Sequence, residues 1–361
     1  FTIPLLIGGA TTSRKHTAVK IEEEYSNSVF HVLDASRCVG VVNKLLNPVK
    51  KKKLVRDISE DYNAIRDKYY NNQNQLKKLT IEEARERKPK LEFSPIKPNL
   101  KDIQILEDIP LLELENYIDW TPFFHAWELS GKYPSILDDK IIGHEAKKIL
   151  KDAKNILKLI KKQNSLKAKA VFGIFPAKSH NEDIILYKDN TTFNFPRQLI
   201  DKGSKPNYCL ADFISNNKND YLGVFAVTAG HGLEDLVKKY ETEFDDYNAI
   251  MVKVIADRFA EAAAEWLHEK IRKEYWGYAK NEDLSCSALI NEKYSGIRPA
   301  PGYPACPDHS EKDKIWKLLN IEKTINISLT ENRAMYPTAS VCGWILSHPN
   351  STYFSVLKNN N

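Results

Sequence analysis

A proline-rich segment near the carboxyl end of the chain carries the densest chemical signal in the sequence. It runs from Arg298 to His309 and reads RPAPGYPACPDH. Each of its four prolines lacks a backbone N–H donor and fixes φ, which excludes a helix or a central strand. The pattern predicts either a plain surface loop or a rigid, extended ribbon whose outward carbonyl groups are unpaired and bind a flat ligand at little ordering cost. Arg298 offers a planar fork for a carboxylate, and Tyr303 offers a ring face or a hydroxyl.

Two further segments hold acids where a cationic ligand could meet them. In the helix predicted over 248–274, Arg258, Glu261 and Glu265 share one stripe at spacings i, i+3 and i+7. These side chains form either an exposed ion pair of little energetic value or a carboxylate site for a ligand ammonium group. Asp119 begins the segment DWTPFFHAW, which contains four aromatic residues. It either caps a helix or presents an anion beside indole rings to a sulfonium or ammonium ligand.

Other motifs that would indicate a catalytic or metal site are incomplete. Cys306 and His309 are half of a zinc site, and no second pair lies at ligand spacing. A Gly-His-Gly turn at 230–232 follows a predicted strand, but Asp235 stands where a dinucleotide-binding fingerprint needs its third glycine. Cys306 has proline neighbours and no adjacent base, which disfavours a covalent nucleophile. We therefore predict no catalytic side chain and no metal ligand.

Composition and length narrow the class of protein. The 361 residues suffice for about two domains. With 42% hydrophobic and 28% charged residues, the chain is not collagen-like, disordered or a disulfide scaffold. A net charge of +5 is weak support for a nucleic-acid partner, and no apolar run approaches the ~18 residues of a membrane span. Five scattered cysteines favour free thiols, so we predict a cytoplasmic protein that binds neither nucleic acid nor membrane.

The first 98 residues divide into two segments of different character. Residues 1–46 alternate strands predicted over 3–7 and 28–33 with helices over 16–24 and 37–46, which is typical of a parallel α/β sheet. Because so few residues cannot form such a domain alone, the sequence looks like a piece of a longer protein. Residues 47–98 open with four lysines and end in a proline-punctuated stretch. They predict a charged, partly helical linker.

The remainder of the chain mixes helices and strands without regular alternation. Strands are predicted over 168–175, 183–187, 221–228 and 339–344, and helices over 145–163 and 248–274. This order favours an α+β domain built on a largely antiparallel sheet over a second parallel unit.

Taken together, these segments resemble the C-terminal part of cobalamin-dependent methionine synthase. The likeness is carried by the proline-rich motif with SEK after it, by DWTPFF, by DRFAEA from Asp257, and by ASVCGW from Ala339 with SHP soon after. GGATTS from Gly8 and DASR from Asp34 resemble the end of the same family's cobalamin-binding domain. The resemblance implies a Rossmann-like cobalamin-domain tail over 1–46, a linker over 47–98, and over 99–361 a C-shaped α+β reactivation domain around a bent antiparallel sheet.

In that family the reactivation domain binds S-adenosylmethionine and supports reductive methylation of cob(II)alamin to methylcobalamin. The resemblance therefore implies a methyltransferase of methionine biosynthesis, working within the intact protein. It implies two partners, an electron donor of the flavodoxin type and the upstream cobalamin domain of the same chain. Zinc belongs to the family's homocysteine module, which like the folate module is not in these residues. No side chain need act as acid or base, because the cofactor is a strong nucleophile and the task is alignment.

The resemblance also implies the residues that contact S-adenosylmethionine. Arg298 is expected to take the carboxylate, and the two acids to lie near the amino group or the ribose. Main-chain groups of 300–302 would edge the adenine, with tyrosine and phenylalanine rings as walls. The expected contacts are Asp119, Glu261, Arg298, Ala300, Gly302, Tyr303, Tyr353 and Phe354.

On the cobalamin side, the resemblance implies contacts from Gly8, Gly9, Ala35 and Ser36. The two glycines would let the backbone approach the cofactor's nucleotide tail. The family's axial histidine is not among these residues, so the segment alone is expected to hold cobalamin poorly. The alternative hypothesis is an interaction domain that docks a flavodoxin-type donor and binds no ligand.

Overall fold

The computed structural model describes residues 3–8, 12–32, 35–74, 77–100, 102–188, 190–216 and 219–356. For residues 35–37 and 71–74 the description covers the backbone alone. The chain divides into two compact units, residues 1–78 and residues 79–361. Within the described ranges, no helix is both long enough and apolar enough to cross a membrane.

The first unit is built on two short parallel strands. β1 (Leu5–Gly8) pairs with β2 (Val29–Val32), and Gly8 lies opposite Val32. The connection between them contains α1 (Arg14–His16), a π-helical turn (Thr17–Ile21) and a 3-10 turn (Glu22–Glu24), and two helices follow, α2 (Ala35–Leu46) and α3 (Pro48–Asn74). The predicted order of strand, helix, strand and helix is confirmed.

The long helix α3 occupies much of the segment predicted to be a linker. Its surface is largely exposed, but Tyr62 is buried and its hydroxyl accepts the His31 backbone N–H at 2.8 Å. Arg66 donates to the Ala18 carbonyl at 2.8 Å, which ties the helix to the turn before β2. Residues 48–74 are thus helical, and this helix packs on the first unit, whereas a linker over 47–98 and domain boundaries at 46 and 98 stay predictions.

The second unit is a mixed helix and sheet structure. Its strands are β3 (Gln104–Ile109), β4 (Lys167–His180), β5 (Asp183–Leu186), β6 (Thr192–Asn194), β7 (Asp220–His231), β8 (Ser328–Leu329), β9 (Met335–Tyr336) and β10 (Ser340–Ile345). Its helices are α4 (Ile81–Glu86), α5 (Leu111–Leu114), α6 (Thr121–Ala126), α7 (Gly143–Gln163), α8 (Leu233–Thr242), α9 (Asp246–Lys270), α10 (Cys286–Ile290), α11 (Glu311–Leu319) and α12 (Ile321–Ile325). Four 3-10 or π turns accompany them, at Glu115–Tyr117, Ser135–Asp138, Leu210–Phe213 and Ile271–Tyr275.

Six of these strands form one antiparallel sheet in the order β10-β7-β4-β5-β6, with β3 also paired to β4. The long strand β4 changes neighbours along its length, because β3 pairs with its first half and β5 with its end. This curled antiparallel sheet confirms the predicted α+β fold. The four strands predicted from the sequence are β4, β5, β7 and β10, and the predicted helices are α7 and α9.

Both faces of the sheet are covered, which explains the nearly continuous apolar runs of β4 and β7. Because successive side chains of a strand point to opposite faces, alternate residues enter two different hydrophobic cores. One core contains α7 and α9, and the other contains α11 and α12. From β4 and β7, the first core takes Ala168, Ala170, Phe172, Ile174, Phe225, Val227 and Ala229, and the second takes Val171, Phe175, Ala177, Leu222, Val224 and Ala226.

Candidate functional site

The proline-rich segment lies along the edge of the sheet beside β10. Ile297 and Leu346 exchange two backbone hydrogen bonds of 3.0 Å, and the Pro299 carbonyl accepts the Trp344 N–H at 2.9 Å. A Cβ atom at Gly343 would lie 2.3 Å from the Pro299 oxygen, so only glycine permits this approach. The sheet edge therefore fixes the backbone on either side of Arg298.

Beyond Pro299 the segment turns back on itself instead of remaining extended. Gly302 has φ of +91°, and its N–H donates to the Cys306 carbonyl at 2.7 Å. Cys306 N–H in turn donates to the Tyr303 carbonyl at 2.9 Å, and Tyr303 N–H donates to Ala300 at 3.3 Å. The expectation of an extended ribbon with unpaired carbonyls is thus wrong, because the left-handed glycine brings the few remaining N–H groups onto those carbonyls. We keep the name ribbon for residues 297–307.

Arg298 extends from the ribbon toward the long helix α9. Its Nη2 atom lies 3.3 Å from Glu265 Oε2, and its Nη1 atom lies 3.9 Å from Glu261 Oε2. Its backbone N–H donates to the Tyr353 hydroxyl at 3.0 Å. The Nε atom is buried and has no hydrogen-bond partner among the described residues. The predicted pair of Arg298 and Glu261 is therefore brought together, and Tyr353 joins it.

A second arginine, Arg272, lies behind Glu265. It is fully buried and makes three contacts of 2.6–3.2 Å with the Glu282 carboxylate. Its guanidinium carbon lies 4.3 Å from the centre of the Tyr294 ring, and its Nη1 atom is 3.7 Å from Glu265 Oε1. Glu265 thus lies between two guanidinium groups, one of which is already neutralised by another acid.

Sequence reasoning did not assign a role to Arg272, Glu282 or Tyr294. One signal was present, because Glu261, Glu265, His268 and Arg272 recur at helical spacing through α9 and the turn that follows it. A polar stripe on a buried helix has to meet partners in the fold, and here it meets the ribbon. Glu282 and Tyr294 lie in a loop and a turn, where no periodicity marks them.

Burial sets the electrostatics of this cluster. It raises the pKa of Glu265 above its ordinary value, although Arg298 and Arg272 act in the opposite direction. Burial lowers the pKa of His268 well below its usual range, so this imidazole is neutral at physiological pH. Burial also raises the pKa of Tyr353. The cluster therefore combines two arginines with a buried carboxyl whose pKa is raised and a buried imidazole whose pKa is lowered.

Asp119 lies just before Trp120, the N-cap residue of helix α6, and its side chain accepts the first N–H of that helix. Its Oδ1 atom accepts the Thr121 N–H at 2.9 Å, which is the structural alternative considered for this residue. The carboxylate is half-buried, and both it and Glu265 contribute to raising the pKa of Cys286 beyond the effect of burial. Asp119 and Glu265 therefore act on the same thiol, and a ligand contact from Asp119 stays a prediction.

The adjacent residues Tyr353 and Phe354 have different surroundings. The Tyr353 hydroxyl accepts the Arg298 N–H, and 37% of its surface is exposed. The Phe354 ring stacks on Tyr208 at a centroid distance of 5.7 Å and packs against the second core. The structure thus brings Tyr353 to Arg298 and Phe354 to Tyr208, and the ligand contact of Phe354 stays a prediction.

Of the four cobalamin contacts expected from the sequence, Gly8 is described in full. A Cβ atom there would lie 2.3 Å from the Val32 carbonyl oxygen, so the neighbouring strand itself requires glycine. Gly9 lies outside the described residues, and the side chains of Ala35 and Ser36 at the start of α2 do too. The described part of the chain contains no group of three or more His, Cys, Asp or Glu side chains that could hold a metal ion.

Two comparisons with known proteins identify what this chain is similar to. The family model for the vitamin B12 dependent methionine synthase activation domain matches residues 110–361. A solved structure described as the MetH reactivation domain bound to AdoHcy is 46% identical in sequence and superposes with a TM-score of 0.75. That match covers 78% of this chain and 90% of the other.

Proposed function

We propose, from the premise that this chain belongs to the vitamin B12 dependent methionine synthase activation-domain family, that residues 79–361 bind S-adenosylmethionine between the ribbon and α9. The chain is a reactivation module of methionine synthase, which in the intact protein is a methyltransferase with cobalamin as its cofactor. AdoHcy, the ligand of the similar MetH domain, is S-adenosylmethionine after loss of its methyl group. The similarity therefore supports S-adenosylmethionine, the methyl donor, as the substrate.

The observation that carries this proposal is that the Arg298 guanidinium is partly exposed and only loosely paired at its Nη1 end. It is fixed on the ribbon, its side chain is 20% exposed, and its Nη1 end faces the half-exposed Glu261 across 3.9 Å. Charge-assisted hydrogen bonds of arginine are about 2.7–2.9 Å long, so this pair is loose. A ligand carboxylate can take the Nη1 end, and its ammonium group can take Glu261. One cation and one anion at this separation match the two charges of an amino acid.

The other expected contacts complete the ligand site in this proposal. Among the described residues, no hydrogen bond occupies the Ala300 N–H or the Gly302 carbonyl, and these groups are offered to the adenine edge. Tyr303 is 56% exposed next to Glu261 and provides a wall. Tyr353 and Phe354 are proposed as further walls, and Asp119 as a second acid for the amino group or the ribose. Tyr353 has the stronger support, because it contacts Arg298.

The chemistry asked of these side chains is positioning. Cobalamin, when bound, supplies the nucleophile that accepts the methyl group. The carbon–sulfur bond of the donor breaks with its electron pair on sulfur, so no protein group needs to give or take a proton. Arg298 and the acids hold the amino-acid end, and the ribbon holds the adenine end. Restricting the donor at both ends converts a bimolecular encounter into an aligned one.

The finer parts of the proposal rest on family membership. We propose a flavodoxin-type donor as the source of the electron, the cobalamin domain of the same chain as the methyl acceptor, and the cytoplasm as the location. We also propose that 1–46 belong to that cobalamin domain, with contacts from Gly8, Gly9, Ala35 and Ser36, and that 99–361 are the reactivation domain. The zinc and folate modules are proposed to lie elsewhere in the intact enzyme.

Calorimetric titration of Arg298→Ala with S-adenosylmethionine and with AdoHcy tests the site. Loss of a hydrogen bond to a charged group costs about 1.5–3 kcal/mol, so both affinities should fall about 10-fold to 150-fold. Arg333→Ala is the matched control, because Arg333 pairs with Asp313 on the surface of the same unit. It should leave both affinities unchanged. A wild-type chain that binds neither compound would overturn the proposal and favour the interaction-domain alternative.

A further inference from the structure

We propose that Glu265 is the positioning residue for Arg298: it anchors the buried side of the guanidinium so that the exposed end is presented to the ligand carboxylate. This inference rests on the proposed function, since it assumes that Arg298 receives that carboxylate. It concerns a residue that touches the arginine and not the ligand. Glu261, in contrast, is the acid on the exposed side.

The burial of the two acids separates their roles. The Glu265 side chain is 10% exposed, whereas the Glu261 side chain is 38% exposed. Both extend from α9 toward the same guanidinium, one helical turn apart. A ligand arriving from solvent can replace the contact with Glu261 without opening the protein. It cannot replace the contact with Glu265, so Glu265 stays with Arg298 in the free and the bound states.

Glu265 is itself prevented from leaving. Its Oε1 atom faces Arg272 Nη1 at 3.7 Å, and Arg272 is held by Glu282 and by the Tyr294 ring. If Glu265 rotated away from Arg298, that guanidinium would lose its nearest counter-charge, which is unfavourable in such surroundings. Arg272 therefore attracts Oε1 of Glu265 without a hydrogen bond between the two, and Oε2 is left to face Arg298.

Arg298 also has donors suited to this arrangement. Its Nε atom is buried and without a hydrogen-bond partner in the described part of the chain, and its Nη2 atom faces Glu265 at 3.3 Å. Nε and Nη2 form one edge of a guanidinium, the edge that Arg272 uses toward Glu282. A small closing movement would give Arg298 and Glu265 the same two-point contact. The Nη1 end would then remain for the ligand.

Loss of the Glu265 charge should redirect Arg298. In Glu265→Gln, the strongest remaining counter-charge for Arg298 is Glu261, so the arginine would be drawn to the exposed side and paired there. The ligand would then have to break that pair, and it would lose Glu261 as a partner for its ammonium group. We expect the affinity for AdoHcy to fall about tenfold, which is within the range of coupling between contacting residues.

The experiment is a double-mutant cycle on the full chain, with AdoHcy affinity measured by calorimetry. If Glu265 acts through Arg298, Glu265→Gln should weaken binding about tenfold alone and less than about twofold in the Arg298→Ala background. Effects that multiply in the double variant would show that Glu265 acts on the ligand or on the fold instead. Unchanged affinity of the single variant would overturn the inference equally, while Arg298→Ala still tests the proposed function.

Two further variants guard the interpretation. Glu269→Gln is the matched control, because Glu269 lies one turn further along α9 and pairs with Lys273 and Tyr117. It should keep wild-type affinity. If Glu265→Gln does not fold, Glu265→Asp retains the charge at shorter reach and should weaken binding at least about threefold, again without further effect beside Arg298→Ala. Wild-type affinity in Glu265→Asp would then be the contradicting result. If the wild-type chain itself did not bind AdoHcy, that result would contradict the proposed function and not the role of Glu265 alone.

Discussion

Two arginines of the second unit, Arg197 and Arg298, are held in opposite ways. The Arg197 side chain is 1% exposed and makes four hydrogen bonds of 2.7–2.8 Å. Its partners are Glu182, both carboxylate oxygens of Asp212, and the Asn207 carbonyl. Arg298 has one side-chain hydrogen bond of 3.3 Å, a looser contact at 3.9 Å, and a buried Nε atom that is unpaired within the described residues.

The difference shows how one side chain serves either stability or binding. Around Arg197 the guanidinium donors are occupied by protein acceptors and the side chain is buried, so no donor is left for a ligand. Around Arg298 the carboxylates stand slightly too far away, and part of the guanidinium reaches solvent. The loose pairing of Arg298 Nη1, the end that faces the half-exposed Glu261, indicates a place where a ligand anion can bind.

The largest expected effect is a loss of stability when the fully paired Arg197 is replaced. Arg197→Met leaves the buried Asp212 carboxylate without its paired counter-charge, while Glu182 keeps Arg85, so the free energy of unfolding should fall by about 3–5 kcal/mol. All six tryptophans of the chain lie between residues 120 and 344, so tryptophan fluorescence during urea unfolding reports on the second unit. Arg333→Met should leave that transition unchanged. A decrease in the free energy of unfolding smaller than about 1 kcal/mol for Arg197→Met would mean that the ion pairs of Arg197 do not stabilise the fold.

An intermediate effect concerns a buried acid of the second unit that pairs with no arginine among the described residues. Asp220 is fully buried, accepts N–H groups of Ser215 and Tyr221, and has its pKa raised by burial from 3.8 to about 6. Between these two values the folded chain binds the proton more tightly than the unfolded chain does. Its contribution therefore favours folding below about pH 4, is lost as the pH rises to about 6, and is constant above that.

This shift corresponds to a change on the order of 3 kcal/mol in the free energy of unfolding across the window. The measurement is urea unfolding at several pH values from 4.5 to 7 for the wild type and for Asp220→Asn. The wild-type curve should descend more steeply than the variant curve between pH 4.5 and 6. Parallel curves would show that the carboxyl does not titrate in this range.

The smallest expected effect separates the two adjacent aromatic residues. Tyr353→Phe removes the hydroxyl that accepts the Arg298 N–H, a bond worth about 1 kcal/mol, so AdoHcy affinity should fall about fivefold. Phe354→Leu keeps an apolar wall and should change that affinity less than about twofold, and loss of the ring contact with Tyr208 should cost about 1 kcal/mol of stability. Calorimetry on both variants measures the two affinities. A larger loss of affinity in Phe354→Leu than in Tyr353→Phe would make Phe354 the more important of the two walls.

Most of the regular elements could be predicted because their causes are local. The apolar runs of β4 and β7, and the helical periodicity of α7 and α9, each follow from side-chain spacing. The short strands β3 and β6 were not predicted, because half of β3 is exposed and β6 has three residues. Their pairing depends on β4 and β5 being in place first. The extended backbone predicted for the ribbon was wrong, because the ribbon's internal hydrogen bonds depend on the left-handed conformation of Gly302.

The sequence alone determined which residue types stand at which spacing, and therefore the α+β class, the stripe of acids on α9, and the rigid segment carrying Arg298. Only the tertiary structure decided that Arg298 contacts Glu265 as well as Glu261 and that Arg272 lies behind them. It also decided that Tyr353 contacts Arg298 while Phe354 contacts Tyr208. The reason is physical. Periodicity records which face of an element is buried, whereas the partner of a buried charge is chosen by how distant elements pack, and α9 and the ribbon meet across more than thirty residues of chain.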